Sequence, residues 1–235
     1  MKKEITPKKN RLYIFLLLVF IGGFLGGFVH EFRGGVFSNA QTGNVIRLGI
    51  ALCNDEWQTA AHCAISFCAY VTGAFLCELA IGKRLSVGPL RWETIFTGLA
   101  TLTLCVLSLV PDSASFILTQ IPVNFIAVMQ YNTFRQARGV PMATTFCTNN
   151  LRQTAIHLVR WLRKKDSDSR YRHFSYLGIL LMFVLGAAVG TVLCRYFAGR
   201  AVWGAALLLL LLFADLLHAD LVREKHLLDR KPRGH

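Results

Sequence analysis

The sequence lacks the residue patterns on which most enzymes and metal proteins depend. It has no HExxH, no glycine-rich phosphate-binding loop, no Ser/His/Asp spacing and no pair of carboxylates placed for acid–base chemistry. Its seven cysteines are odd in number and scattered, without a CxxC or CxxH pair, so we interpret them as small packing residues. The sequence therefore predicts no enzyme, no cofactor, no metal site and no disulfide framework.

Hydrophilic sequence is also scarce. Only 17% of the residues are charged, and the longest hydrophilic stretches are residues 160–173 and the tail after Asp220, which leaves no soluble domain. The chain is 54% hydrophobic, and this content is gathered into six runs of about the 20 residues that a membrane helix needs. We predict an all-α membrane protein with six transmembrane helices in one integral membrane domain, residues 1–235. The predicted helices are residues 12–29, 57–82, 90–110, 113–134, 174–194 and 201–219.

Acidic residues are half as numerous as basic ones, 13 against 26. In a soluble protein the net charge of +13 would indicate nucleic acid, but 21 of the basic residues lie in tails and loops on one side of the predicted helices. The positive-inside rule then predicts that the tails, residues 1–11 and 223–235, are cytoplasmic. We expect membrane lipids, and not nucleic acid, as partners of these charges. Residues 1–29 resemble a signal peptide, but their apolar stretch is about twice the usual length.

A short polar segment occurs twice between the apolar runs. Residues 38–47, SNAQTGNVIR, align with residues 144–153, TTFCTNNLRQ, at a spacing of 106. Thr42 matches Thr148 and Asn44 matches Asn150, and each copy follows one long run and precedes two more. We therefore predict two repeats, residues 12–110 and 113–222, each with three crossings and one short helix.

Three crossings in each repeat would invert the second repeat relative to the first. The charge bias favours this 3+3 inverted arrangement, because a short helix that crossed fully would move Lys83, Arg84 and Arg91 to the outer side. We expect two re-entrant or half-length helices that enter the membrane from opposite faces. Eight full crossings are the alternative.

A helix that begins inside the bilayer leaves about four backbone N–H groups without partners. Thr42 or Asn44, and Thr148 or Asn150, are residue types that cap such ends, and Gly43 would let the chain turn before the helix. The exposed amide end carries partial positive charge, which suits a small polar or anionic solute. The alternative is that both segments only satisfy their own backbone.

The fourth predicted transmembrane helix is the most polar, with Gln120, Asn124, Gln130, Tyr131 and Asn132 among apolar residues. Such side chains either line a wet cavity or form hydrogen bonds between helices. Together with the two short segments they give the candidate solute-binding residues, which are Gln41, Thr42, Gly43, Asn44, Asn124, Gln130, Thr145, Thr148 and Asn150.

Glycine pairs with GxxxG spacing occur in the first and fifth predicted helices. Gly22, Gly23, Gly26 and Gly27 form two overlapping pairs in the first, and Gly186 and Gly190 form a pair in the fifth. Such pairs let two helix backbones approach closely. We expect this packing within one chain, because an inverted repeat brings its halves together, and a homodimer through the same faces is the alternative.

Ionisable residues of the predicted helices lie mostly near their ends, where the side chains reach water. A proton relay is therefore not indicated, and Asp215 is the first such residue to test. The others are His30, Glu31, His62, Glu78 and His218.

The order of these features resembles the YoaK-like family of bacterial multi-pass membrane proteins, a domain of unknown function. The resemblance covers residues 12–222, and its most specific marks are GGVFSNAQTGNVIRLGIAL in the first half and VMQYNTFRQARGVPMATTFCTNNL in the second. It implies a bacterial inner-membrane location and supplies no substrate. The second copy reads Thr148-Asn149-Asn150, where the family more often has glycine after threonine; asparagine tolerates left-handed backbone better than other residues.

Two hypotheses follow for the function. In the first, the protein is a small transporter or permease whose two broken segments line a central site for a small polar or anionic solute. In the second, it is a membrane scaffold or partner-binding protein, and the basic loop 160–172 meets anionic lipid or a cytoplasmic partner.

Overall fold

The structure is a computed structural model that describes residues 12–32, 41–82, 89–113, 115, 117–137, 140–141, 143–145 and 147–223. These residues form eight α-helices and one short antiparallel hairpin, β1 (Gln136–Ala137) with β2 (Val140–Pro141). The helices are α1 (Leu12–Phe32), α2 (Gln41–Cys53), α3 (Trp57–Gly82), α4 (Trp92–Leu107), α5 (Ile117–Thr133), α6 (Cys147–Lys164), α7 (Ser167–Phe197) and α8 (Val202–His218).

All six predicted transmembrane runs lie in helices, namely α1, α3, α4, α5, α7 and α8. Three described stretches are long and apolar enough to cross a membrane: Leu12–Phe32, Trp57–Ile81, and Ser167–Val222, which contains α7 and α8. α4 is apolar but has 16 residues, about 24 Å at 1.5 Å per residue, against about 30 Å of hydrocarbon. The described chain is thus nearly all helical and suited to a membrane.

The outer surface of the bundle is rich in large apolar side chains. Phe75, Leu102, Leu109, Val184 and Val222 are each more than 60% exposed, and they belong to several different helices or helix ends. A surface of this extent is covered by lipid or by another protein, because soluble proteins rarely leave such patches in water. The polar residues of α5 show the opposite distribution, since Gln120, Asn124 and Gln130 are all buried.

α1 packs against α7 through four of the six glycines that the sequence singled out, namely Gly23, Gly27, Gly186 and Gly190. A Cβ atom added to Gly23 would lie 2.1 Å from the carbonyl oxygen of Phe183, and one added to Gly186 would lie 2.0 Å from that of Phe20. Gly27 and Gly190 meet Ala187 and Phe24 in the same way. The glycine motifs therefore pack within one chain, as expected, and bring two helix backbones into contact.

Neighbouring contacts give the relative directions of the helices. α1 and α7 run parallel, because Phe20 meets Gly186 and Phe24 meets Gly190. α1 and α5 run antiparallel, since the ring centroids of Phe15 and Phe134 are 6.2 Å apart while Gln130 bonds to the carbonyl oxygen of Leu18, further along α1.

α3 and α5 run parallel, because Ser66 bonds to Asn124 and Cys77 contacts Met129. α4 and α8 run antiparallel, because Thr94 bonds to Asp220 while Gly98 meets Phe213. α1 and α8 are also antiparallel, since Gly204 packs on Phe24 and the Tyr13 hydroxyl donates to Asp215 at 2.7 Å.

An aspartate fastens each end of the α4 and α8 pair. Asp220, in the π-turn Ala219–Arg223 that follows α8, is fully buried and accepts hydrogen bonds from the Arg91 backbone N–H at 2.9 Å and the Thr94 hydroxyl at 2.7 Å. The guanidinium of Arg91 completes the site as an ion pair. At the other end Asp112 accepts the N–H of Gly199 at 3.1 Å, in the 3-10 turn Ala198–Ala201 before α8.

We expect Gly186→Ala to destabilise the protein by about 1–3 kcal/mol, because its new methyl group would overlap the backbone of α1. The matched control is Gly178→Ala on the same helix, where the nearest atom, Leu16 Cδ2, lies 3.8 Å away. That change should be neutral or stabilising by up to about 1 kcal/mol, because alanine is the better helix former. The free energies of unfolding, measured in detergent micelles, check this; equal effects of both changes would contradict the close α1–α7 contact.

Candidate functional site

One polar centre of the bundle joins α2, α3 and α5. Asn44 of α2 is buried, and its Nδ2 donates to Ser66 Oγ of α3 at 3.2 Å. Asn124 of α5 is buried as well, and its Nδ2 donates to the same Ser66 Oγ at 2.7 Å. Ser66 lies nine residues after Trp57, so about 14 Å along α3, close to the middle of a hydrocarbon layer of about 30 Å.

Several buried polar atoms beside this centre have no hydrogen-bond partner in the described part of the chain. Both amide atoms of Gln120, Oδ1 of Asn124 and Oγ1 of Thr119 are in this state. Gln120 and Asn124 are four residues apart and therefore lie on one face of α5; we name these two residues the amide stripe. An unsatisfied buried polar group costs about 1–3 kcal/mol, so the amide stripe is well suited to bind water or a polar solute.

A second polar centre lies where the chain approaches α6. Gln130 Nε2 donates to the carbonyl oxygen of Leu18 at 3.0 Å. A Cβ atom at Gly22, the central residue of α1, would lie 3.2 Å from the carbonyl oxygen of Thr144 and 3.8 Å from Thr145 Cγ2. The hydroxyls of Thr144 and Thr145 are buried and have no partner among the described residues. The second segment thus begins deep in the bundle, against the middle of α1.

The two polar centres lie on different faces of α5. Gln130 follows Asn124 by six positions, which is about 600° of helical rotation, and their side chains therefore point about 120° apart. α5 contributes Asn124 to one centre and Gln130 to the other, so it stands between them. The residues that bond to one another in both centres are uncharged.

Asn150 fastens the chain just before α6. Its Nδ2 donates to the carbonyl oxygen of Ala143 at 2.7 Å, and its Oδ1 accepts from the N–H of Ala143 at 3.3 Å. This pair of bonds holds the backbone of Ala143 against the first turn of α6. Asn150 therefore has a structural task at the position where the sequence predicts solute contact.

The helix caps predicted from the sequence are wrong. α2 begins at Gln41 and α6 at Cys147, so Thr42, Gly43, Asn44, Thr148 and Asn150 lie inside first turns and not in front of them. A capping side chain has to precede the helix that it caps. Thr42 and Thr148 are moreover exposed. Asn149 is helical and does not use the left-handed backbone that asparagine tolerates, since the non-glycine residues with positive φ in the described chain are Asp55, Lys165 and Ala198. Residues 33–40, which include Ser38, lie outside the described residues.

The sequence does not predict three of the buried hydroxyl residues as candidate binding residues: Ser66, Thr119 and Thr144. Each is a small hydroxyl side chain in an apolar context, which the sequence does not distinguish from a hydroxyl that bonds to its own helix, as Thr101 and Thr103 do. The prediction includes Gln120 among the polar residues of the fourth transmembrane helix but not among the binding residues. Its spacing of four residues from Asn124, which places both on one helix face, is the signal that indicates a shared site.

Three carboxylates among the ionisable residues of the predicted helices are engaged away from the polar centres. Glu78 pairs with Arg135 at 2.7 Å, Glu31 pairs with Arg195 at 3.3 Å, and Asp215 accepts from the exposed Tyr13. Among the described residues, no group of three His, Cys, Asp or Glu side chains could hold a metal ion. The seven cysteines are free thiols.

We expect Gln120→Leu to leave the free energy of unfolding unchanged or to raise it by about 1 kcal/mol, because it removes two unpaired polar atoms at nearly constant volume. The matched change Asn124→Leu should lower it by about 1–2 kcal/mol, because the bonds to Ser66 are lost. Denaturant unfolding in micelles measures both. A loss with Gln120→Leu as large as that with Asn124→Leu would mean that Gln120 is bonded in the folded protein.

Comparison with known proteins adds a family assignment. The model of the family described as "Protein of unknown function (DUF1275)" matches residues 14–214. Comparison with curated proteins and with solved structures finds no match. The match extends from the third residue of α1 into α8, so it includes both short segments and both polar centres. The chain belongs to this family of unknown function, of which the YoaK-like proteins that it resembles are members.

Proposed function

We propose that the protein is a small-solute transporter with six membrane crossings and two re-entrant helices, in which α2 borders a polar site near the midplane and α6 lies on the other side of α5. The observation that carries the proposal is Gln120, a buried amide with no partner for either polar atom among the described residues, one turn from an asparagine that Ser66 links to α2. The proposal includes no chemical reaction.

The helix directions support the six-crossing arrangement. If α1 rises through the membrane, α5 descends, because it is antiparallel to α1; α3 descends with α5, and α7 rises with α1. The connection from α1 to α3 then begins and ends on one side, and the connection from α5 to α7 begins and ends on the other. α2 and α6 lie in these two connections, so neither makes a net crossing.

The same directions support an inverted repeat. The first repeat runs up, down and up in α1, α3 and α4, and the second runs down, up and down in α5, α7 and α8. Each helix contact also has a counterpart: α1–α7 corresponds to α5–α3, α2–α3 to α6–α7, and α1–α8 to α5–α4. Asp112 and Asp220 are 108 positions apart, and so are their partners Arg91 and Gly199.

The chemistry of the amide stripe favours an uncharged solute. Gln120 offers a donor and an acceptor without partners among the described residues, and Asn124 Oδ1 offers a further acceptor in the same state. A small molecule that carries both N–H or O–H and carbonyl or hydroxyl oxygen would satisfy these groups, whereas a bare anion would satisfy the donors alone. We therefore favour a small polar solute over the anion that helix N-termini alone suggest.

The orientation and the location complete the proposal. The positive-inside bias puts both tails and the end of α6 in the cytoplasm, with the end of α2 outside. The resemblance to bacterial multi-pass proteins supports the bacterial inner membrane as the location.

The topology predicts opposite sides for the outer ends of α2 and α6. In a cysteine-free background, a protein that retains only Cys53 and one with Ser113→Cys should react with an impermeant maleimide in right-side-out vesicles. Lys164→Cys should react only in inverted vesicles, since all three positions are exposed and only their sides differ. Reaction of Cys53 and Ser113→Cys on the same side as Lys164→Cys would instead indicate eight crossings.

Water access to the amide stripe tests the solute site. We expect Gln120→Cys to react with an impermeant methanethiosulfonate reagent, because a solute site must open to water. The control is Leu118→Cys, whose side chain is 58% exposed on the lipid side of the same helix and should resist the reagent. An unreactive Gln120→Cys in both vesicle orientations would mean a dry interior and favour the scaffold hypothesis.

A flux measurement then tests transport itself. Proteoliposomes swelling in urea, acetamide, glycerol and formate, followed by light scattering, should show faster entry for at least one uncharged solute than protein-free liposomes. Gln120→Leu should abolish that entry, while Thr103→Val, which removes a hydroxyl bonded to its own helix, should preserve it. Faster entry of formate alone would overturn the assignment of an uncharged solute.

A further inference from the structure

The turn between α6 and α7 gathers positive charge that has no carboxylate partner among the described residues. α6 ends at Lys164, and Lys165, with φ of 49°, reverses the chain into the Asp166 cap of α7. The cations without such a partner are all exposed; they are Arg160, Arg163, Lys165 and Arg170, whereas Lys164 interacts with Asp166.

The two carboxylates of this turn are already engaged. Asp166 caps α7 by accepting the backbone N–H of Ser169 at 2.6 Å, and this bond holds the pKa of Asp166 below its usual value. Asp168 pairs with Arg172 one turn further along α7, at 2.7 Å. The positive charge of Arg160, Arg163, Lys165 and Arg170 has no carboxylate partner among the described residues and is left for a partner from outside.

A groove lies beside these cations. It has a volume of about 480 Å³ and is lined by Ser167, Arg170, Tyr171 and Phe174. The Tyr171 hydroxyl is buried and has no partner in the described chain. One wall is aromatic, since the ring centroids of Trp161 and Phe174 are 5.7 Å apart. The four lining residues are spaced i, i+3, i+4 and i+7, so they form one face of α7, with Ser167 and Arg170 at its polar end and Phe174 at its apolar end.

The surroundings of the groove match the boundary between headgroups and acyl chains. Phe174 begins the apolar run of α7, and Arg170 lies one turn before it. α6 carries the large apolar side chains Leu151, Val159 and Leu162 on one exposed stripe, and its polar residues Asn150, Thr154 and His157 on the buried side. Such a helix lies in lipid with its last turn at the membrane surface.

We infer that this groove binds the phosphodiester headgroup of an anionic phospholipid. Arg170 supplies the positive charge, the hydroxyls of Ser167 and Tyr171 supply hydrogen bonds, and Phe174 contacts the start of the acyl chains. The remaining exposed cations attract the anionic leaflet over a wider area. This inference depends on the membrane orientation proposed above, and it is independent of the solute site.

Lipid-dependent thermal unfolding of the full chain in a neutral detergent tests the inference. Phosphatidylglycerol should raise the unfolding temperature in a saturable manner, and phosphatidylcholine should not. Arg170→Gln should raise the half-saturating concentration of phosphatidylglycerol about fivefold, as expected for the loss of one basic contact. Arg152→Gln is the matched control, because Arg152 is exposed on α6, near the end of the helix remote from the groove.

Three results would overturn the inference. Equal stabilisation by phosphatidylcholine would mean that the headgroup charge is not recognised, and an equal loss with Arg152→Gln would mean a diffuse charge effect. Stabilisation by inorganic phosphate alone would mean a site for free phosphate. Should Arg170→Gln unfold, Tyr171→Phe removes one hydroxyl without changing the charge, and native mass spectrometry should find less phosphatidylglycerol retained than on the unmodified chain.

Discussion

The close contact between α1 and α7 is the packing interaction on which the arrangement of the bundle depends. Inside a membrane there is no hydrophobic force between two apolar helices, so association depends on how closely their backbones approach. At Gly23 and Gly186 the backbone carbonyl group of the partner helix lies so close that any side chain at these positions would prevent the contact. α1 is consequently buried along most of its length, α7 lies parallel to it, and α5 takes the remaining side in the opposite direction. These directions support the proposal that α2 and α6 enter the membrane without a net crossing.

The sequence predicted the helices and the glycine contact because both depend on local patterns. Apolar runs mark the helices to within a few residues, except that α7 begins earlier, at Ser167. The aspartate sites at the ends of α4 and α8 were not predicted, because Asp220 and Arg91 are 129 residues apart and look like two ordinary loop charges. Of the candidate binding residues, Asn44, Asn124, Gln130 and Thr145 are buried in the polar centres, whereas Thr42 and Thr148 are exposed; solute contact at these residues stays a prediction.

The cap error has a physical origin. A Thr-Gly-Asn segment after a loop is typical of a helix start, but the same residue types serve equally well inside the first turn when another helix offers a partner. Asn44 finds that partner in Ser66, 22 residues further along the chain, and bonds as well to the side chain of Gln41 in its own helix. Side chains that the sequence assigns to a helix end therefore hold neighbouring helices together. The amide stripe of α5 differs, because Gln120 has no such partner among the described residues and retains its full capacity for hydrogen bonds.

The helices α2 and α6 are alike at their buried starts and differ at their outer ends. Asn44 and Asn150 occupy equivalent positions near the starts of α2 and α6, and each is buried and bonded. At the other ends, α2 leads into the acidic pair Asp55 and Glu56, whereas α6 ends among unpaired cations. The hydrocarbon interior is the same when approached from either face, so it favours similar packing in both repeats. The two membrane surfaces are not the same, since the cytoplasmic leaflet is the anionic one, and selection on charge therefore acts differently on the two helix ends. The proposed inverted repeat therefore predicts two halves with similar interior packing and with positive charge concentrated on one membrane surface.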